Sequence, residues 1–124
     1  GLSMLGYMTI GTNDLAKAKD FYRAVLAPLG GKAVMTNDRM EFYASGAGGM
    51  LSVCVPYDQA TATAGNGAMA ALQAASRELV DEVHALALAQ GATCDGPPGE
   101  RMPTFYGAYF RDPDGNKMCV YKMG

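Results

Sequence analysis

The chain of 124 residues contains no tryptophan, one histidine (His84) and three cysteines. Cys54, Cys94 and Cys119 are odd in number, widely spaced and form no C-x-x-C, which excludes a disulfide framework and a zinc knuckle and fits a reducing cytoplasm. The sequence also has no H-E-x-x-H helix, G-x-S-x-G elbow or P-loop. Charge of one sign is scarce: Lys+Arg 10 against Asp+Glu 12 gives a net charge of -2, and no basic face is strung together, so a nucleic-acid partner is not expected. Apolar runs are broken by Gly, Asp or Lys well short of the roughly 20 residues that a membrane-spanning helix needs. Two independent domains would each be too small to bury a core, so residues 1–124 form one domain. No signal-peptide pattern precedes Met4, and Gly1, Leu2 and Ser3 fit either a native start or a cloning remnant before one.

What is present is an order of elements that occurs twice. Alternation through Tyr7, Met8, Thr9 and Ile10 predicts a strand ending at Gly11-Thr12-Asn13-Asp14. Asn13 or Asp14 caps a helix whose apolar face is Leu15, Ala18, Tyr22, Val25, Leu26 and Leu29, and Gly30-Gly31 stops it. Three strands follow, at about 32–36, 39–45 and 50–55. After an Ala-, Thr- and Gly-rich linker the order restarts with a strand in 67–75, a helix capped by Ser76 and stopped by Gly91, and strands near 92–95, 106–111 and 116–121. The expected fold is α+β: two β-α-β-β-β modules, about 4–56 and 66–122, forming a curved mixed sheet around a cavity with the helices outside.

Tyr7-Met8-Thr9-Ile10-Gly11-Thr12-Asn13-Asp14-Leu15, Asp20-Phe21-Tyr22-Arg23-Ala24-Val25-Leu26 and Arg111-Asp112-Pro113-Asp114-Gly115-Asn116-Lys117 resemble the vicinal oxygen chelate superfamily, the glyoxalase, bleomycin-resistance and extradiol dioxygenase group. The likeness runs from about Leu5 to Tyr121. It implies two modules curling their sheets around a shared cavity, and a divalent metal held by His, Gln or Glu from the first and last strand of each module. The first-strand position falls on Tyr7, and its repeat partner, at the separation of the two helix caps, on Met69. The last-strand position falls on Cys119, and matching Gly115 to Gly49 puts its counterpart at Val53. Tyr, Met, Cys and Val supply none of the imidazole or carboxylate that zinc, nickel, manganese or iron takes in such sites, so neither metal nor cofactor is expected.

The same positions read as cavity lining. Alternation carries Thr9 inward with Tyr7, Gln73 with Met69 and Tyr121 with Cys119; Phe42 or Tyr43, Tyr57, Tyr106 and Tyr109 are candidate aromatic walls. Residues 94–105, rich in Pro and Gly, read as a loop over the cavity mouth with Arg101 as its cation. The expected ligand-binding set is Tyr7, Thr9, Val53, Met69, Gln73, Arg101, Tyr106, Cys119 and Tyr121, an apolar pocket for a small organic molecule. The alternative is a glyoxalase-like lyase or isomerase, or a dioxygenase-related enzyme, with Tyr7 or Cys119 as proton carrier. His84 is expected on the outer face of the sheet, away from Cys119. By the resemblance, the chain pairs as a homodimer.

Overall fold

Two stretches of the chain form long helices, each started by a side-chain cap. In the computed structural model, which describes residues 2–124, helix α1 (Leu15–Leu26) begins where Asp14 accepts a hydrogen bond from the Lys17 amide at 3.1 Å. Gly1 lies outside the described residues. Helix α1 buries Ala18, Phe21, Tyr22, Val25 and Leu26. It runs into a 3-10 turn, Ala27–Leu29, where Pro28 is accommodated, and Gly30 at φ 79° turns the chain away. Helix α2 (Arg77–Ala89) begins where Ser76 Oγ accepts from the Leu79 amide at 3.1 Å, and it buries Val80, Val83, His84 and Ala87.

The strands are β1 (Tyr7–Gly11), β2 (Lys32–Thr36), β3 (Met40–Ala44), β4 (Met50–Cys54), β5 (Ala70–Gln73), β6 (Thr93–Met102), β7 (Phe105–Arg111) and β8 (Lys117–Met123). They make two four-stranded sheets, in the orders β1-β4-β3-β2 and β5-β8-β7-β6. In each, the strand before the helix pairs parallel with the last strand of its module, β1 with β4 and β5 with β8, and the other pairings are antiparallel. The double β-α-β-β-β order is thus present as expected, each module forming its own open mixed sheet.

Two elements differ from expectation. The strand expected in 67–75 is confined to Ala70–Gln73. The expected 94–105 loop is mostly strand: β6 runs through Pro97 and Pro98 to Met102. Proline survives there because β6 is an edge strand with three register shifts, so its missing amides break no ladder on a central strand.

One buried cluster joins both halves: Phe21, Tyr22, Val25, Tyr43 and Val53 from the first, Val80, Val83, Phe110, Met118 and Val120 from the second. Polar contacts fix the junction. Asp112, in the β7–β8 turn, accepts from Tyr22 Oη at 2.5 Å and Asn116 Nδ2 at 3.0 Å, and the same amide donates to the Gly11 carbonyl at 2.9 Å. Within the first half, buried Glu41 is held by Arg23 through both guanidinium arms.

Candidate functional site

Strand register sorts every sheet residue onto one of two faces, because paired residues point the same way. Ile10, Val53 and Glu41 lie side by side on the face that α1 covers, and Thr9, Ser52 and Phe42 on the opposite, open face. In the second sheet Leu72, Val120 and Ala108 face the core, and Ala71, Cys119 and Tyr109 take the open face. Tyr7 belongs to the first open face and packs edge-on against Phe42, with ring centroids 5.1 Å apart.

The expected set divides accordingly. Tyr7, Thr9, Gln73, Cys119 and Tyr121 are on open faces, and Met69 is exposed just before β5. Val53 is not: it is fully buried under α1, and the open-face residue beside Thr9 is Ser52. Matching the modules by their turn glycines lands one residue off, and one residue in a strand reverses the side chain's face. Tyr106 is also misplaced. Its neighbours Glu100 and Lys122 mark the helix side, its hydroxyl donates to Asp81 on α2 at 2.6 Å, and Arg77 lies over its ring. The hydrogen bond to Asp81 raises the phenol's pKa, with burial a smaller cause.

A cleft of about 1010 Å³ runs along β5 between the two halves. Of the expected residues it brings together Met69, Gln73 and Tyr121; Tyr7, Thr9, Arg101 and Cys119 are outside it. Its other walls are largely apolar, including Leu26, Leu29, Leu51 and Leu72. The open face of the second sheet therefore meets the cleft at Tyr121 and Gln73 and extends beyond it toward Cys119.

Chemistry concentrates on that open face. Cys119 is buried, with Tyr109 directly opposite on β7. The Arg101 guanidinium and the Lys117 ammonium each lie 5.5 Å from the Tyr109 ring centroid. Lys117 and Arg111 share Asp95, at 3.5 and 3.0 Å. Phe105 and Tyr121 stack beside them, centroids 5.3 Å apart and planes 8° from parallel. Burial pushes the Cys119 thiol above its usual pKa, outweighing the hydrogen bond with Tyr109 and the charges of Arg101 and Lys117. At neutral pH the group is a thiol rather than a nucleophilic thiolate. His84 is buried in α2, on the other side of the sheet, so no Cys-His pair forms.

Tyr109, expected only as one of several aromatic walls, joins Lys117 and Ser52, two open-face residues outside the expected set. The signal for the first two lies in Asp112-Pro113-Asp114-Gly115-Asn116: that turn sets Arg111 opposite Lys117, and alternation then sets Tyr109 opposite Cys119.

The donor set is a poor match for a divalent cation. Tyr7, Met69, Ser52 and Cys119 offer a phenol, a thioether, a hydroxyl and a buried thiol, where such a site takes imidazole and carboxylate. Among the described residues no cluster of three or more His, Cys, Asp or Glu side chains is arranged to hold a metal ion. No helix among them is long and apolar enough to cross a membrane.

Residues 4–120 match the family model described as the Glyoxalase/Bleomycin resistance protein/Dioxygenase superfamily. A glyoxalase/bleomycin resistance protein from Albidiferax ferrireducens T118 is 41% identical, with a TM-score of 0.91 over 98% of this chain and 100% of that one. Lactoylglutathione lyase from Agrobacterium tumefaciens is 25% identical, with a TM-score of 0.70 over 97% of this chain and 93% of that one. The fosfomycin resistance protein FosX from Listeria monocytogenes shares the fold, at 21% identity and a TM-score of 0.72 over 100% of this chain and 96% of that one. Comparison with curated proteins gave no match. By the span of the family match and the identity to a solved relative, the chain belongs to the glyoxalase/bleomycin resistance protein/dioxygenase superfamily.

Proposed function

We propose that this chain is a binding member of its family, holding a small organic molecule over the open face of the second sheet with protein side chains instead of a divalent metal. The observation that carries the reading is the donor set: phenol, thioether and thiol occupy the positions where the family resemblance implies imidazole or carboxylate. Around them stand groups that hold organic ligands by shape and stacking, namely Tyr109, Tyr121 and Phe105, with Gln73 as a hydrogen-bonding amide. Tyr7 and Thr9 present the corresponding open face of the first sheet. The setting is cytoplasmic, in keeping with three free cysteines.

The working form is a homodimer. β1 and β5 are edge strands with one side unpaired, and exposed Leu5, Tyr7, Met50 and Met69 lie on or next to β1, β4 and β5.

The test is ligand capture. Immobilised protein is incubated with the small-molecule fraction of a bacterial lysate, washed and denatured, and the released compounds are identified by mass spectrometry. The reading expects a compound retained by the parent protein and lost from a Tyr109→Ala, Tyr121→Ala variant. Identical release from both, or none from either, contradicts it.

A further inference from the structure

The chain carries a net charge of -2, yet the open face of the second sheet gathers Arg101, Lys117 and Arg111 against a single carboxylate, Asp95. We propose that this face takes a small organic oxyanion, gripped by Arg101 and Lys117, which reach Tyr109 from the two strands that flank β7. The proposal rests on the binding reading above and names the class of ligand.

Arg101 is held in position. Its Nη2 donates to the Pro97 carbonyl at 2.5 Å, four residues back along the irregular β6 strand, and its guanidinium lies over Tyr109. Two glycines make room for it. A Cβ on Gly99 would stand 2.8 Å from Arg101 Nη1, and one on Gly96 would stand 2.8 Å from the Tyr109 ring and 3.3 Å from Arg101 Nη2. A side chain at Gly99 would require the guanidinium to shift, and one at Gly96 would require the Tyr109 ring to shift.

The cation so placed has no counter-ion among the described residues. Among the described residues, ion pairs join Arg23 to Glu41, Arg77 to Glu100, and Arg111 and Lys117 to Asp95; none includes Arg101. Lys117 shares its carboxylate with Arg111, so it too is incompletely neutralised. A neutral Cys119 adds no negative charge. A planar guanidinium with free N–H groups matches two oxygens of a carboxylate or phosphoryl group, while the Lys117 ammonium supplies a point charge. Phe105 and Tyr121, stacked on the neighbouring strand positions, receive the apolar remainder.

The experiment is an NMR titration of the isotope-labelled full chain with sodium benzoate, sodium phenylphosphonate and, as the uncharged control, benzamide. Benzoate or phenylphosphonate should shift the Arg101 Nε–H and Tyr109 ring signals saturably, and the tighter of the two identifies the oxyanion as carboxylate or phosphoryl. Arg101→Gln and Lys117→Gln should each weaken that binding by about tenfold, the loss of one charge-assisted contact. Both changed residues are partly solvent-exposed, and the amide spectrum checks that the variants remain folded. Benzamide binding equal to that of the anions, with Arg101→Gln without effect, overturns the oxyanion grip and leaves the small-molecule reading intact. Failure of both anions to move either signal overturns the proposal; the capture experiment then judges the binding reading separately.

Discussion

Ser52 stands in the first sheet where Cys119 stands in the second: Ser52 lies between Thr9 and Phe42, and Cys119 between Ala71 and Tyr109, each on the open face of the last strand of its module. Both are buried, and the Ser52 hydroxyl has no hydrogen-bond partner among the described residues. Ser52→Ala should therefore be neutral or stabilising by up to about 1 kcal/mol, since it removes an unsatisfied polar group. Val53→Ala, one residue on and facing α1, should cost roughly 2 kcal/mol through lost burial and a residual cavity. Urea unfolding of the two variants checks the assignment; equal losses would mean that the two faces have been misread.

The two halves are coupled through Tyr22 and Asp112. Burial first, and then the Asp112 charge, raise the Tyr22 phenol well above its usual pKa, so it stays a hydrogen-bond donor at all ordinary pH. Tyr22→Phe should destabilise by about 1.5–3 kcal/mol, the range for a hydrogen bond to a charged group. Asp112 would retain Asn116 and the Asp114 amide as partners, so the fold should survive. A thermal-denaturation midpoint unchanged by Tyr22→Phe would show that this contact does not tie the halves together.

Stability should fall in two steps as pH is lowered. Burial holds the His84 imidazole below its usual pKa of 6.5, against a hydrogen bond with the Tyr109 backbone and the charge of Asp81. Below that value the unfolded chain takes up a proton more readily than the folded one, so stability present above pH 6.5 is lost as pH drops toward the folded value. Glu41 acts in the same direction at lower pH. Burial raises its pKa, but the hydrogen bonds led by Arg23 outweigh burial and hold it below 4.5, so its contribution disappears under pH 4.5. His84→Gln should flatten the first step and Glu41→Gln the second, in urea midpoints measured across pH. A parent profile without a slope below pH 6.5 would contradict the His84 assignment.

Pairing of chains is checked by light scattering at micromolar concentration. The expected mass is twice the 13.0 kDa of one chain, and a Leu5→Lys, Met50→Lys variant should return the mass of one. A parent protein of 13.0 kDa would contradict the dimer.

The helices and the duplication are legible in the sequence because their signals are local: Asp14 and Ser76 cap their own helices, and apolar residues recur at helical spacing behind them. Helix propensity and capping need no knowledge of distant partners. The errors at Val53 and Tyr106 have a common cause in pairing register, since face assignment depends on which residue of another strand stands alongside. Strand β6 was hidden for a different reason. Pro97-Pro98 reads as a breaker locally, and only its place at the sheet edge makes the prolines tolerable. Arg101 was legible as a cation near the site, but its position over Tyr109 depends on the bends of that same edge strand.

Native mass spectrometry of the purified chain tests the central claim most directly, because it weighs whatever the folded protein retains. The account predicts a mass excess equal to a small organic molecule, released on denaturation, with no transition metal bound. An excess equal to one zinc, nickel, iron or manganese ion per chain, abolished by Tyr7→Phe with Cys119→Ala, would contradict it.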